Sequence, residues 1–211
     1  MPPGRLARIA GALYLVNIVF GAFAIGYVTA AVGSDVRGHE LLFRAGIAAH
    51  VVVTLTNVPL ALIFYELFKV VNRRVALLNV YFTLVATSIE AAALVSQLSA
   101  LTLNGTTAAY NVSEAFYAGD ALALGYLIYR STFVPRAIGV LMVIDGLAYF
   151  VDSFTTILAP GFSAHLVPYI QLPTLLGEGS LTLWLLIAGI NVARWTRWTE
   201  PAPSAVRATL G

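Results

Sequence analysis

"GVLMVIDGLAYFVDSF" (residues 139–154) is an apolar stretch that carries two carboxylates, Asp145 and Asp152. At about 3.6 residues per helical turn, positions seven apart lie nearly one above the other, so both acids sit on one face. An acid at the centre of a lipid-spanning helix costs about 2.5 to 3.5 kcal/mol, whereas a leucine returns only about 0.5. A helix of this kind needs a protein interior for its acids to face.

The remainder of the chain says which kind of interior. Of 211 residues, 59% are hydrophobic and 10% charged, and the mean hydropathy is +0.85; ordinary soluble domains are about 25% charged. A helix crosses the hydrocarbon with about 20 apolar residues. Stretches of that length lie near residues 6–32, 42–70, 75–103, 112–130, 136–158 and 169–194. This pattern predicts an all-α membrane protein, a six-transmembrane-helix bundle forming one domain over residues 1–198. A short polar tail, residues 199–211, is expected to be disordered.

The chain has no cysteine, which excludes disulfides, thiolate metal sites and cysteine nucleophiles. Its pI of about 9.0 reflects topology rather than a nucleic-acid partner. In a six-span arrangement Arg5, Arg8, Lys69, Arg73, Arg74, Arg130, Arg136, Arg194, Arg197 and Arg207 fall on one side, and only Arg37 and Arg44 on the other. The positive-inside rule then puts both termini in the cytoplasm. The first apolar run exceeds the usual 7 to 15 residues of a signal-peptide core and reads as an uncleaved first helix. The expected location is the cell membrane, as an integral multi-pass protein, and the cytoplasmic membrane if the source is bacterial.

Basic residues at cytoplasmic helix ends serve as depth markers, because long side chains there reach back to the interface. Glu90 lies 16 residues beyond Arg74, Asp152 16 beyond Arg136, and Glu178 16 before Arg194. All three therefore stand about 24 Å up their helices at about 1.5 Å per residue. His50 comes out slightly higher, with Arg44 near the outer rim, while Asp145 and Asp120 form a lower tier near the midplane. Polar stripes run through each acid: Thr83, Thr87, Glu90, Gln97; Gln171, Thr174, Glu178, Thr182; Asp145, Tyr149, Asp152; Ser113, Tyr117, Asp120; and His50, Thr54, Asn57. Such stripes should converge on an interior cavity open to the outside. Pro59, Pro168 and Pro173 fall near these positions and are expected to kink their helices. Gly11, Gly21 and Gly26 of the first helix read as packing or self-association positions.

"LLFRAGI" (41–47), "IEAAAL" (89–94), "LGYLIYRSTFVPRAIGVLMVIDGLAYFVDSF" (124–154) and "GEGSLTLWLLIAG" (177–189) resemble domain-of-unknown-function family 4386 of bacterial membrane proteins. The resemblance implies a multi-span bundle and no activity. Arg44, Glu90, Pro135, Arg136, Gly139, Asp152 and Glu178 match the family pattern. Where the pattern has an acid this chain has His50, and where it has a histidine this chain has Asp120. A pair that exchanges residue types in this way would be expected to touch.

Three classes of function follow. In the first, Arg44, His50, Glu90, Asp120, Asp145, Asp152 and Glu178 line an outward-facing site that binds or transports a small cationic or protonatable solute, or carries protons. In the second, His50, Glu90, Asp152 and Glu178 hold a divalent metal, and water on that metal hydrolyses a lipid; no HExxH or GxSxG accompanies them. In the third, the polar residues form a structural network that specifies helix packing. The expected partners are the lipid bilayer, such a solute, and a second copy of the chain. His39 and His165 lie in outer loops and read as solvated. Trp195 and Trp198 fit an interfacial aromatic belt.

Overall fold

The computed structural model describes residues 1–33, 35–100, 106–166 and 169–200. About 90% of the structure is helical, and among the described residues there is no strand. The long elements are α1 (Pro3–Gly21), α3 (Glu40–Ala100), α4 (Thr106–Arg130), α5 (Arg136–Leu158) and α7 (Leu172–Ile187). Shorter ones are a π-helical segment, Ala22–Val28, which joins α1 to α2 (Thr29–Val32), then α6 (Pro160–Leu166), a 3-10 turn at Tyr169–Gln171, and α8 (Val192–Thr199). Among the described residues, four stretches are long and apolar enough to cross a membrane: Pro3–Val32, Glu40–Ser99, Arg136–Leu158 and Tyr169–Ile187.

If straight, the 61 residues of α3 would reach about 90 Å at about 1.5 Å per residue, three times the hydrocarbon thickness. The helix instead breaks at Asn72, whose backbone is extended (φ −157°, ψ 104°). The Asn72 Oδ1 accepts the backbone N–H groups of Arg74 (3.1 Å) and Val75 (3.3 Å), so Asn72 is the N-cap of a second arm. The arms fold back on one another. Asn57 and Thr87, equally distant from Asn72 along the chain, are joined by a 3.4 Å hydrogen bond, and His50 meets Glu90 further out. The two spans expected at 42–70 and 75–103 are thus one helical hairpin. Pro59, exposed on the first arm, does not break it.

The helices close into a ring. Asn17 of α1 bonds Asn57 of the first α3 arm (2.5 Å), and Asn79 and Thr83 of the second arm bond Asp120 of α4. Glycines bring the next pair into backbone contact: a Cβ on Gly139 of α5 would lie 2.6 Å from the Tyr129 N of α4. Gly177 of α7 rests on Asp145 of α5, and Gly11 of α1 rests on Leu186 of α7, where a Cβ would lie 2.7 Å from its N. Gly11 is therefore an internal packing position, while Gly21 and Gly26 meet nothing within 4 Å.

One end of the ring is filled. Leu67, Phe68, Leu124, Leu127, Ile128, Met142, Leu181 and Leu185 are fully buried there, with Trp195 packed against them. Helix α8 ties this end together. Trp195 Nε1 donates to Leu67 O (2.9 Å), Trp198 Nε1 to Thr132 Oγ1 (3.1 Å), and an Arg194 guanidinium N–H to Thr132 O (3.0 Å). Lys69, Arg73, Arg74, Arg130, Arg136 and Arg194 cluster on these connections, consistent with the long spacing between basic ends and acids along each helix.

Several boundaries differ from the sequence reading. Helix α5 matches it, because Pro135 removes an N–H at one end and Pro160 follows the other. Helix α4 begins at Thr106 rather than 112, since its first turns are polar yet helical. The last span, expected at 169–194, ends at Ile187 because Gly189 takes a left-handed backbone (φ 67°), after which α8 starts afresh. Pro173 lies in the first turn of α7 and starts that helix instead of kinking it. Pro168 and most of the polar tail, residues 201–211, lie outside the described residues.

Candidate functional site

The half of the ring away from the basic end is hollow. A cavity of about 540 Å³ is lined by Glu90, Glu114, Asp120, Asp152 and Glu178, together with His50, Asn17, Asn57, Tyr14, Tyr117 and Tyr149. A second, of about 370 Å³, shares His50, Glu90, Glu114, Tyr117 and Tyr149 with the first and extends toward Tyr110 and Gln97. Neither lining includes a lysine or an arginine.

The carboxylates are anchored in different ways. Asp120 is held by its neighbours: Asn79 Nδ2 and Thr83 Oγ1 both donate to Oδ1, the latter at 2.8 Å. Glu90 accepts from the Tyr117 hydroxyl (3.0 Å), which itself accepts from Asn57 Nδ2 (3.0 Å). Asn57 in turn accepts from Asn17 Nδ2, and Thr56 donates to Asn17 Oδ1. One polar chain therefore links α1, both α3 arms and α4. Glu178 accepts from the Tyr149 hydroxyl (3.2 Å). The Tyr117 and Tyr149 rings lie 6.4 Å apart, so two adjacent tyrosines separate Glu90 from Glu178.

His50 is buried (3% exposed) and stacks on Tyr110 with ring centres 5.3 Å apart. Its Nδ1 lies 3.3 Å from the Tyr110 hydroxyl, and its Nε2 lies 3.5 Å from Glu90 Oε2, at ion-pair distance but in an orientation that makes no hydrogen bond. Glu114 Oε2 is likewise buried without a hydrogen-bond partner among the described residues. These two atoms are buried in the wall of the cavity with bonding capacity unfilled, which costs free energy.

Of the residues selected from sequence, His50, Glu90, Asp120, Asp152 and Glu178 line the larger cavity. Arg44 does not. It is half exposed and pairs with Glu40 one turn earlier (2.7 Å), because its position on α3 turns it outward. Asp145 is also outside the cavity. It is fully buried where Gly177 lets α7 press on α5, and neither carboxylate oxygen has a hydrogen-bond partner among the described residues. A seven-residue spacing aligns Asp145 and Asp152 on α5 but cannot show that the neighbouring helix covers the lower one. His50 and Asp120 do not touch; each has its own partners. His50, Glu90, Asp152 and Glu178 do not form a metal-ligand cluster, since no three His, Asp or Glu side chains converge suitably among the described residues. His39 and His165 are exposed and bond Asp35 O and Gly161 O.

Glu114 is the residue that the sequence reading passed over. It lies 16 positions before Arg130, the same spacing that singled out the other three acids. Tyr14 and Asn17 carried a weaker signal, two polar groups one turn apart in the apolar run that follows Arg8.

A family model described as Domain of unknown function (DUF4386) matches residues 9–189. The chain belongs to this family. A relative of the DUF4386 protein occurs in Archaeoglobus fulgidus, 26% identical over 140 residues, which is 65% of this chain and 79% of that one, and is described only as an uncharacterized protein. No solved structure matches the DUF4386 chain. The family model covers all the cavity-lining carboxylates.

Proposed function

We propose that this protein crosses the membrane six times with both termini in the cytoplasm, and that its cavity, facing outward, binds a small cationic or protonatable solute. Binding is the step that a receptor and a transporter share. The observation that carries the reading is the composition of the larger cavity: five carboxylates and one histidine, with no lysine or arginine to neutralise them. Three tyrosines add electron-rich faces suited to a cation. The six crossings follow from counting the α3 hairpin as two and adding α4, whose acids keep its hydropathy low. Asp120, satisfied by Asn79 and Thr83, fits a structural role within the same site.

The binding reading is tested by a thermal-shift screen of the purified protein against simple amines and divalent metals, beside Asp152→Asn and Glu178→Gln. A ligand at 100 times its dissociation constant stabilises the folded state by about 2.7 kcal/mol. An amine should stabilise the native protein and neither variant. If nothing stabilises the native protein and both variants are at least as stable, the acids repel one another to no purpose and the binding reading is wrong. Topology is tested on the cysteine-free background. His165→Cys should react with an impermeant maleimide from outside, and Thr199→Cys only after the membrane is opened; the reverse pattern would invert the arrangement.

A further inference from the structure

The ring is not closed along its whole length. Helices α1 and α7 run antiparallel, with Gly4 beside Gly189 and Val192, and Gly11 against Leu186. Carried on in that register, the pairing would set Gly21 opposite Leu175 and Leu176, and Ile25 opposite Gln171 and Leu172. Those contacts are not made. A Cβ on Gly21, Gly26 or Gly179 would meet no atom within 4 Å, and all three line the larger cavity, as do Ile25, Gln171 and Leu175. Ile25 is 51% and Leu175 62% exposed. The helices touch at the basic end and part toward the other, with the π-helical segment forming one side of the gap.

The position of the gap decides what it faces. Gly21 lies 11 residues before Val32, the end of α2, or about 16 Å below it at about 1.5 Å per residue. That depth is within the hydrocarbon, so the lower part of the gap opens sideways to lipid. No residue of the rim is charged: two aliphatic side chains, three glycines and one glutamine frame it, and the carboxylates of Glu178 and Asp152 lie behind them in the same cavity.

We propose that the gap is a lateral portal, through which a lipid-soluble organic cation passes from within the bilayer to the carboxylates. This rests on the cationic reading above and adds the substrate class and its route. An apolar body is compatible with the rim, and a positive charge is complementary to the acids. A cavity of about 540 Å³ falls in the usual range for small-molecule sites.

The test uses the full chain in lipid nanodiscs, with tetraphenylphosphonium as a membrane-partitioning cation and tetramethylammonium as a water-soluble one. Tetraphenylphosphonium should bind, and tetramethylammonium at equal concentration should not displace it. Gly179→Phe and Gly26→Trp, which plug the gap from opposite walls, should each slow tetraphenylphosphonium association at least tenfold. Gly161→Phe, at an equally unhindered glycine outside the cavity, should leave it unchanged. If both cations bind the native protein and neither plug has any effect, the portal is refuted while the cationic site stands. If neither cation binds, the portal is refuted, and the cationic site is judged by the amine and metal screen above.

Discussion

Asn57 is the branch point of the polar chain that joins α1, the α3 hairpin and α4, so Asn57→Leu is a direct measure of that chain's worth. The substitution nearly conserves volume and removes three hydrogen bonds: the one accepted from Asn17, and those donated to Tyr117 and Thr87. Side-chain hydrogen bonds between membrane helices average about 0.6 kcal/mol each, which gives about 2 kcal/mol for the three. Part of that loss is the orphaning of Asn17 Nδ2, which is buried with no other bond to replace it among the described residues. Removing both members of a pair leaves no orphan and is less costly than removing one. Asn17→Leu combined with Asn57→Leu should therefore cost at least 1 kcal/mol less than the two single variants added. The assay is equilibrium unfolding in mixed micelles, analysed as a double-mutant cycle. If the two losses simply add, Asn17 and Asn57 are not coupled and the chain is not the unit described here.

Two further predictions concern the backbone. Gly139→Ala places a methyl group against the backbone of α4 and should destabilise by about 1 to 3 kcal/mol, as overpacking does; Gly21→Ala, with open space around it, should be neutral, and equal losses in the same unfolding assay would refute the packing account. Asn72→Ala removes the cap of the second α3 arm and should cost about 1 kcal/mol, with Asn72→Asp retaining most of the stability; no difference between the two would show that the cap contributes nothing.

Much of this arrangement was legible from residue spacing, and the failures share a cause. The bounds of α5 were readable because Pro135 and Pro160 punctuate it. The break at Asn72 fell inside the short gap expected between two spans, although its capping role needed the coordinates. Depth along a helix was countable from basic residues, so Glu90, Asp152 and Glu178 were found, and Glu114 was findable by the same count. Rotation about a helix tells which face is polar but not which neighbour covers it. For that reason Asp145 was placed in the cavity when Gly177 seals it against α7, and Arg44 was placed at the mouth when it bonds Glu40. The widened turn at Ala22–Val28 has no marker in an apolar run, so the parting of α1 from α7 was not readable at all.

The contact of Gly11 with Leu186 has a consequence for how the molecule is made. It joins two segments separated by most of the chain, and such long-range closures come at a high loop entropy and late in folding. α1 and α7 are the first and last long helices of the chain, so the wall between them cannot form until α7 has been made. The hairpin at Asn72 and the glycine-mediated pairing of α4 with α5 are local enough to form first. The Gly11–Leu186 contact is thus the closure that completes the ring.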